Sequence, residues 1–447
     1  MIKLTAKEIC NAVGGKLYGN GEAVLTEIST DSRKVNENCL FIGIKGENFD
    51  GSLYGEKALS AGAAAALISC EITPPEGKAV IVADDTRAAL LTLAGYVRDK
   101  FDIKLVGITG SVGKTTTKEM IYKVMSSGFN THKTEGNFNN DIGLPLTLLK
   151  LSEQHSAAVI EMGMSAAGEI SVLTRAAKPT AAVITNIGMS HIEHLKTREN
   201  ILKAKLEILE GLAQDGVLII NGDDEYLSKV SGTGFRTVRY GFGENCDIKG
   251  EITSENTMLC MGEKITIPIE GKHNMYNALA AIAVGREYGI SIHDAAQSIA
   301  DFETDARRQN IVKVGDITVI CDYYNANPQS MAAALELLCG GEAERRIAVL
   351  GDMLELGDFS KGCHAQIGEK AAQTGVDMVF AYGEMAEELV NAAKKAGILF
   401  AKAYADKKEL AKELTATLKK GDKVLIKGSR GMKMEEVYEV ILSEMDN

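Results

Sequence analysis

The sequence predicts an α/β protein of three domains, and three observations lead to this fold class. Short apolar runs rich in β-branched residues, each bounded by turn residues, alternate with helical stretches over most of the chain. A second series of such runs starts after about residue 304. With 447 residues, the chain is also longer than one hydrophobic core usually serves. We therefore predict a small α/β N-terminal unit (1–80), a central parallel-sheet domain with a phosphate-binding loop (81–303) and a C-terminal Rossmann-like domain (304–447).

The N-terminal unit is the smallest of the three. It contains the segments TDSRKV (30–35) and CLFIGIKG (39–46), and a linking segment with a helix follows over residues 80–103. No long Pro/Ser-rich linker and no low-complexity tract interrupts the chain. We therefore expect the three domains to follow one another directly.

The central domain is predicted from four buried strands: KLVGIT (104–109), AAVIEM (157–162), AAVITN (181–186) and GVLIIN (216–221). Each carries a polar residue at or near its end: Thr109, Glu161, Asn186 and Asn221. Ligand sites in open α/β sheets lie beyond the carboxyl ends of the strands. The pattern therefore places a site at that edge of the central sheet.

The C-terminal domain is predicted from the second strand series. Its strands are ITVICD (317–322), RIAVLGD (346–352), DMVFAYG (377–383) and KVLIKGS (423–429). Helical segments such as KELAKELTATLKK (408–420) lie between them. This alternation is typical of a Rossmann-like domain.

Composition excludes several classes of protein. Hydrophobic residues make up 45% and charged residues 25%, as in soluble globular proteins. No apolar run is long enough to cross a bilayer, and the N-terminus carries charges where a signal peptide needs apolar residues. The eight cysteines form no CxxC pair, which argues against zinc and disulfides. With a net charge of −12 and no Lys/Arg cluster, the chain is not expected to bind nucleic acid. We expect a cytoplasmic monomer without membrane insertion.

The segment GITGSVGKTTTKEM (107–120) is the most specific local signal. A strand runs into a glycine-rich turn and a helix begins at Lys114, so the N–H groups of the helix start can hold phosphate oxygens. Lys114 can reach the β and γ phosphates, and the Thr115 hydroxyl can ligate Mg²⁺. The strict phosphate-loop pattern has Gly where this chain has Ile108. Such a loop serves hydrolases, kinases, switches and ligases alike, so it does not name a reaction.

Three further residues have both a chemical and an ordinary interpretation. Glu161 ends a buried strand, where a carboxylate is costly unless it is paired or binds a metal, and Mg²⁺ suits the neighbourhood of a phosphate loop; the alternative is a solvent-exposed strand end. His191 follows another strand, and a lone histidine is as often structural. Lys205 lies in the helical stretch ILKAKLEILEGL (201–212) and on its own is expected to be a solvated lysine.

Together these segments resemble the Mur ligase family over nearly the whole chain. In the central domain the resemblance is carried by the phosphate loop, GNFNNDIGLPLTLL (136–149), IEMGMSAAGEI (160–170), TNIGMSHIEHL (185–195), AKLEI (204–208) and GKHNMYNALAA (271–281). In the C-terminal domain it is carried by DYYNANPQSM (322–331), VLGDMLELG (349–357), His364 and KGSRGMKME (427–435). In the N-terminal unit, TDSRKV and LFIGIKGENFDG resemble the uridine-nucleotide-binding unit of the family.

The resemblance implies an ATP-dependent ligase of peptidoglycan synthesis. The GNFNN, YNANP and GDMLELG segments are typical of the branch that joins D-alanyl-D-alanine to UDP-N-acetylmuramoyl-tripeptide, through an acyl phosphate and with release of ADP and phosphate. The third residue of the tripeptide, lysine or diaminopimelate, stays open. Alternatives are another ligase of the superfamily, such as the ligase that adds the third residue or a folylpolyglutamate synthase, and a non-catalytic phosphate-loop regulator that binds UDP-sugars.

The resemblance also implies roles for individual residues. The implied ATP contacts are Gly110, Ser111, Val112, Gly113, Lys114, Thr115, Thr116, Asn274, Asn277, Arg307, Asp322, Tyr324 and Asn325. Two Mg²⁺ ions would be held by Thr115, Glu161, His191 and Lys205, the lysine as a carbamate. The implied catalytic residues are Lys114, Lys205 and His191. The implied substrate contacts are Ser32, Arg33, Thr134, Asn137, Asn139, Asn140, Asn327, Ser429 and Arg430.

Some positions depart from the family pattern or stay undecided. Ser52 stands where the family often has histidine, which puts one nucleotide-sugar contact in doubt, and Leu206 stands where glycine often follows the modified lysine. Arg308 competes with Arg307 for the nucleotide contact. His191 and His364 are both candidates for the general base. Because one reaction needs residues of separate domains, we expect the C-terminal domain to close on the central one.

Overall fold

The computed structural model describes residues 2–46, 49–303 and 309–445 of the chain. Within these ranges the strands form four sheets, of two, five, nine and six strands, with helices between the strands. This arrangement confirms the α/β fold class. No helix in the described ranges combines the length and apolar character that crossing a bilayer requires.

The N-terminal unit is built on the five-stranded sheet. Its elements are β1 (Leu4–Thr5), α1 (Ala6–Val13), β2 (Lys16–Gly19), β3 (Val24–Leu25), β4 (Glu27–Ser29), β5 (Cys39–Ile42), α2 (Gly55–Ser60), β6 (Ala65–Ile68) and β7 (Ala79–Val82). The sheet order is β2-β7-β6-β5-β4, with only the β2–β7 pair antiparallel, and β1 pairs with β3 apart from it. Strand β7 spans the predicted boundary at residue 80, so this sheet extends to Val82.

The central unit is built on the nine-stranded sheet. Its helices are α3 (Thr86–Arg98), α4 (Lys114–Ser126), α5 (Gly143–Leu148), α6 (Glu169–Ala177), α7 (Ile192–Leu195), α8 (Arg198–Leu206), α9 (Lys272–Glu287) and α10 (Ile292–Ala300). Its strands are β8 (Lys104–Thr109), β9 (Thr131–Lys133), β10 (Ala157–Glu161), β11 (Ala181–Ile184), β12 (Val217–Asn221), β13 (Arg236–Gly241), β14 (Ile248–Ser254), β15 (Thr257–Cys260) and β16 (Glu263–Thr266). The order is β16-β15-β14-β13-β12-β11-β8-β10-β9.

The four predicted central strands are confirmed as β8, β10, β11 and β12, all parallel. Each is apolar because both faces of this sheet are buried. Strand β11 ends at Ile184, so Asn186 lies in the loop beyond it. The carboxyl ends of these strands therefore open onto one edge of the sheet.

An antiparallel extension of the central sheet was not predicted. Strands β14, β15 and β16 form a meander that joins the parallel strands through β13. Met258, Cys260 and Ile265 of this meander pack on the central core, whereas the second half of β14 is exposed. No local signal predicts these strands, because apolar residues in this stretch are too few for a buried strand.

The C-terminal unit is built on the six-stranded sheet. Its elements are β17 (Asn310–Val314), β18 (Ile317–Asp322), α11 (Pro328–Cys339), β19 (Arg345–Gly351), α12 (Ser360–Thr374), β20 (Met378–Tyr382), α13 (Ala386–Lys395), β21 (Phe400–Tyr404), α14 (Lys407–Thr417), β22 (Asp422–Lys427) and α15 (Glu435–Met445). The order is β17-β18-β22-β19-β20-β21, antiparallel only at the β17–β18 hairpin. The four predicted strands are confirmed as β18, β19, β20 and β22.

Candidate active site

A cavity of about 780 Å³ lies at the carboxyl edge of the central sheet and is closed on its other side by the C-terminal unit. Most residues implied for ATP, metal and substrate line it. From the central unit these are Ser111, Val112, Gly113, Lys114, Thr115, Thr116, Asn137, Asn139, Asn140, Glu161, His191, Asn274 and Asn277. From the C-terminal unit they are Asp322, Tyr324, Asn325 and Asn327. Arg307 and Arg308 lie outside the described residues.

The phosphate loop connects β8 to α4 and is held by the loop after β11. The main-chain N–H of Ser111 donates to the Asn186 carbonyl at 3.1 Å, and the N–H of Val112 donates to Asn186 Oδ1 at 3.0 Å. Gly113 has a left-handed φ of 81°, which glycine adopts without strain. A Cβ on Gly110 would lie 1.9 Å from Thr185 Oγ1. The loop thus presents the first turn of α4, beginning at Lys114, to the cavity.

Glu161 is buried at the end of β10 and meets Thr115 directly. The Thr115 hydroxyl donates to Glu161 Oε2 at 3.0 Å, and Asn139 Nδ2 donates to Oε1 at 2.8 Å. The N–H of Glu161 donates to Thr134 Oγ1 at 3.0 Å. Thr134 is completely buried, so its side chain supports Glu161 from behind and does not line the cavity.

Lys118 was missed by the sequence analysis. It is fully buried on α4, with its Nζ 3.1 Å from Glu119 Oε1 and 3.8 Å from Glu161 Oε2, and it donates to Gly136 O at 3.2 Å. A lysine that follows the phosphate loop in a helix gives no local signal of burial. Its spacing of four from Lys114 only indicates the same helix face.

His191 follows β11 and reaches the C-terminal unit. It has a left-handed φ of 60°, and its Nδ1 lies 2.5 Å from Glu355 Oε2. Nδ1 is buried in this contact and has no other partner among the described residues. The imidazole holds the pKa of the Glu355 carboxyl below its usual value, against the opposing effect of burial.

Lys205 is buried on α8 and lies behind the cavity wall, which it does not line. Burial, with a smaller contribution from the charge of Lys114, holds the pKa of the Lys205 ammonium well below its usual value. Among the residues that the structure describes, its Nζ has no ion-pair or hydrogen-bond partner. Lys205 is therefore buried, and it is not the solvated helix lysine that its local sequence predicts.

The protein offers some of the oxygen ligands that a Mg²⁺ ion needs, and the rest would come from other molecules. Thr115 and Glu161 offer adjoining oxygens, the donors that Mg²⁺ prefers. His191 lines the cavity with one ring nitrogen that is not in contact with Glu355, and Lys205 is buried without a partner among the described residues, so these two are the candidate groups for a second cation. In the described ranges no three His, Cys, Asp or Glu side chains converge as a metal site. Phosphate oxygens and water would have to supply the remaining ligands.

At the far end of the cavity, amide side chains of α9 meet the start of the C-terminal unit. Asn274 Nδ2 donates to Gln309 Oε1 at 2.9 Å, and Asn277 Oδ1 accepts from the Thr117 hydroxyl at 3.0 Å. His273 lies against Gln309, and burial lowers the pKa of its imidazole. These groups form a polar wall suited to the edge of a heterocyclic base.

The C-terminal wall of the cavity is organised by a buried ion pair that the sequence analysis did not foresee. Lys427 Nζ lies 2.6 Å from Asp322 Oδ2 and donates to the carbonyl of Asn325 at 3.0 Å. Since Asp322 ends β18 and Lys427 ends β22, the register of two neighbouring parallel strands brings them together. The pair holds the loop with Tyr324 and Asn325 against the cavity.

Asn327, a predicted substrate contact, borders both cavities, and its amide also makes contacts within the protein. Its Nδ2 donates to Ser190 Oγ at 2.9 Å, and its Oδ1 accepts from Ser330 N at 2.9 Å as the cap of α11. The amide is therefore committed to a contact with the central unit and to capping, although it borders the cavity.

A smaller cavity of about 120 Å³ adjoins the large one at His191, Asn325 and Asn327. Ser429 and Arg430, both predicted substrate contacts, line it together with Leu354 and Glu355. Arg430 pairs with Glu435.

The predicted uridine-nucleotide residues lie in the N-terminal unit and line neither cavity described above. Arg33 is exposed and pairs with Asp31 at 2.9 Å. Ser52, which replaces the expected histidine, is buried, donates to Gly43 O at 3.2 Å and accepts from Ser69 N at 3.0 Å. Its hydroxyl is thus used inside the fold.

His364, one of the two general-base candidates, is a structural residue here. It is buried, its Nε2 accepts from Met353 N at 2.9 Å, and its Nδ1 lies 2.8 Å from Ser360 O. This pairing fixes the proton on Nδ1. Both ring nitrogens are therefore engaged by main-chain groups inside the C-terminal unit.

Comparison with known protein families matches three parts of the chain. Residues 24–95 match the family described as Mur ligase family, catalytic domain, and residues 108–285 match the Mur ligase middle domain. Residues 307–430 match the Mur ligase, glutamate ligase domain.

Individual relatives are similar over full length. The chain is 42% identical to the UDP-N-acetylmuramoyl-tripeptide--D-alanyl-D-alanine ligase of Bacillus subtilis (strain 168), over 99% of both chains. A crystal structure of MurF from Acinetobacter baumannii superposes with a TM-score of 0.92 at 29% identity, over 99% of both chains. MurF from Thermotoga maritima in complex with ADP superposes with a TM-score of 0.85 at 28% identity, over 94% of this chain and 98% of that one.

Proposed function

The chain belongs to the Mur ligase family, and on that premise we propose that it joins D-alanyl-D-alanine to UDP-N-acetylmuramoyl-tripeptide with consumption of ATP. The observation that carries this proposal is a single cavity in which a phosphate loop and the buried Glu161–Thr115 pair face residues of the C-terminal unit. A nucleotide, a carboxylate and an amine can meet there. The product would be the UDP-muramoyl-pentapeptide of peptidoglycan synthesis.

The chemistry follows from the weakness of a carboxylate as an acylating agent. Transfer of the γ-phosphoryl group to the tripeptide carboxylate gives a mixed anhydride, and the amine of D-alanyl-D-alanine then displaces phosphate. Lys114 and the N–H groups at the start of α4 bind and orient the phosphates. Mg²⁺, when bound, offsets charge on the phosphates and the attacking carboxylate. The C-terminal unit excludes water, which would hydrolyse the anhydride.

The finer assignments are part of the proposal. Glu161 and Thr115 hold one Mg²⁺, and His191 with a carbamylated Lys205 supports a second. Carbamylation needs a neutral amine, since the nitrogen lone pair attacks CO₂ and a proton is lost. The buried, unpartnered Lys205 with its lowered pKa meets that requirement.

Substrate contacts are proposed for the three units in turn. The predicted division at residues 80 and 303 assigns the uridine nucleotide to the first unit, through Ser32 and Arg33. Asn137, Asn139 and Asn140, which line the large cavity, would meet the muramoyl-peptide. Ser429 and Arg430, which line the small cavity, would meet the dipeptide or the tripeptide carboxylate. ATP lies between the central and C-terminal units, with Arg307 as a further contact. We also propose a monomer acting in the cytoplasm.

Phosphate release tests this function. The enzyme is incubated with ATP, Mg²⁺ and UDP-N-acetylmuramoyl-tripeptide, with or without D-alanyl-D-alanine, and products are identified by mass spectrometry. Release that requires both substrates, with formation of the pentapeptide, is the expected result. Release that does not depend on the dipeptide would reject this acceptor.

Two controls separate the alternatives. A ligase that adds the third residue is tested with UDP-N-acetylmuramoyl-dipeptide and lysine or diaminopimelate, and a folylpolyglutamate synthase with a folate and glutamate. A non-catalytic regulator would bind the UDP-sugar but release no phosphate with any acceptor. The 42% identity over full length to a D-alanyl-D-alanine ligase supports the proposed function over these alternatives.

A further inference from the structure

One ion pair crosses the junction of the central and C-terminal units within the site. His191 belongs to the loop that follows β11, and Glu355 to the loop that follows β19, yet their Nδ1 and Oε2 atoms are 2.5 Å apart. Both residues line the small cavity, and His191 alone of the two also lines the large one. The proposed function gives Glu355 no role.

The two loops are fixed against each other by further contacts. The N–H of Glu193 donates to the carbonyl of Glu355 at 3.3 Å, and Asn327 Nδ2 donates to Ser190 Oγ at 2.9 Å. On the other side, the Ser190 hydroxyl donates to the Ser111 carbonyl in the phosphate loop at 3.2 Å. Glu355 therefore reaches His191 only while the C-terminal unit is seated on the central one.

The orientation of the imidazole follows from these contacts. Nδ1 is buried against Glu355, so the 21% of the His191 side chain that is exposed belongs to its other atoms. His191 also lines the large cavity, and Nε2 is the ring nitrogen that is not in contact with Glu355. Histidines that bind metals commonly place their second nitrogen against a carboxylate, which fixes the ring and makes it a better ligand.

We propose that Glu355 is a positioning residue that holds His191 with Nε2 toward the nucleotide cavity, so that seating of the C-terminal unit completes the second cation site. The inference rests on the proposed function, because that function places a cation at His191. Half of the Glu355 side chain is exposed, so the pair contributes little to stability and acts through orientation.

The test measures cation binding directly. The full-length enzyme, saturated with the non-hydrolysable analogue β,γ-methylene-ATP, is titrated with Mn²⁺, and bound Mn²⁺ is counted from the loss of the free-ion electron paramagnetic resonance signal. Nitrogen modulation in pulsed spectra reports an imidazole ligand, with His191→Ala as the reference for its absence. The variants are Glu355→Ala, Glu355→Gln and the control Glu388→Gln. Glu388 has a similar exposure of 44% and pairs with Lys361 within the same unit.

We expect wild type to bind two Mn²⁺ ions. Glu355→Ala should weaken the second by about 10- to 100-fold and lose the imidazole modulation. It should leave the first ion and the melting temperature unchanged. Glu355→Gln should restore most of the affinity, because its amide oxygen can still accept from Nδ1, and Glu388→Gln should match wild type.

Three results would overturn the inference. These are unchanged Mn²⁺ affinities in Glu355→Ala, weakening of both sites or of folding in that variant, and a single Mn²⁺ in wild type. Failure of the proposed function is a separate result, seen as absence of pentapeptide with the wild-type enzyme. A wild type that forms pentapeptide while Glu355→Ala binds Mn²⁺ normally would reject the positioning role alone.

Discussion

Lys118→Met tests the electrostatics beneath the phosphate loop. The substitution replaces a fully buried side chain with an unbranched one that is one atom shorter and carries no charge. Lys118 Nζ contacts Glu119 at 3.1 Å and Glu161 at 3.8 Å, and donates to Gly136 O at 3.2 Å. Removing one partner of a buried pair typically costs about 3–5 kcal/mol, because the other charge is left uncompensated.

Two features of the site reduce that cost. Glu119 also pairs with Lys133, and Glu161 keeps its hydrogen bonds from Thr115 and Asn139. Loss of the hydrogen bond from Lys118 to the Gly136 carbonyl destabilises the variant further. We therefore expect the free energy of unfolding to fall by about 2–3 kcal/mol. At about 2–4 °C per kcal/mol for a unit of this size, the melting temperature falls by roughly 4–12 °C.

Thermal unfolding followed by calorimetry measures this loss. Lys123→Met on the same helix is the matched control, since that lysine is exposed and its loss should change stability by less than about 0.5 kcal/mol. Mg²⁺ with an ATP analogue should stabilise Lys118→Met more than wild type, because a cation at Glu161 supplies the missing charge. Equal melting temperatures for the two variants would refute the reasoning.

Three further predictions concern the site and its surroundings. Glu161→Gln should lower kcat for phosphate release by about 10²–10³-fold, while calorimetry should show that β,γ-methylene-ATP still binds in the absence of Mg²⁺. His364→Ala should reduce stability by about 1–3 kcal/mol, because it strands the Met353 N–H; a loss of kcat near the 10²–10⁴-fold typical of a general base would contradict its structural role. Burial lowers the pKa of His132, so the fold favours the neutral ring. The stability it contributes is complete above about pH 6.5 and is lost as the pH falls through the lowered pKa. The melting temperature should therefore decrease less between about pH 8 and about pH 5 for His132→Gln than for wild type.

Much of the site could be predicted because its signals are local in sequence. The phosphate loop combines strand, glycines, lysine and helix within one segment, and Glu161 ends an apolar run that only a buried strand explains. Both lie at the carboxyl edge of the same sheet because parallel strands end together. The roles of His191 and Lys205 came from the family resemblance, since neither residue has a local pattern that separates function from packing.

The rest depends on contacts that no local pattern contains. Lys427 and Asp322 pair because β22 and β18 are neighbours, and strand order is not readable from either segment. Asn327 belongs to a motif typical of the family, yet its amide is used by Ser190 of another unit. His364 was an open candidate until the structure placed both of its ring nitrogens on main-chain groups.

The two cavities explain why such a reaction needs two units and not one. They share His191, Asn325 and Asn327, so an anhydride formed in the large cavity would lie beside the opening of the small one. An amine bound in the small cavity would reach the large one past His191, Asn325 and Asn327. Both Asn325 and Asn327 belong to the C-terminal unit, whereas the proposed phosphate-binding residues belong to the central one. Displacing the C-terminal unit would therefore remove the amine site and open the anhydride to water in a single movement.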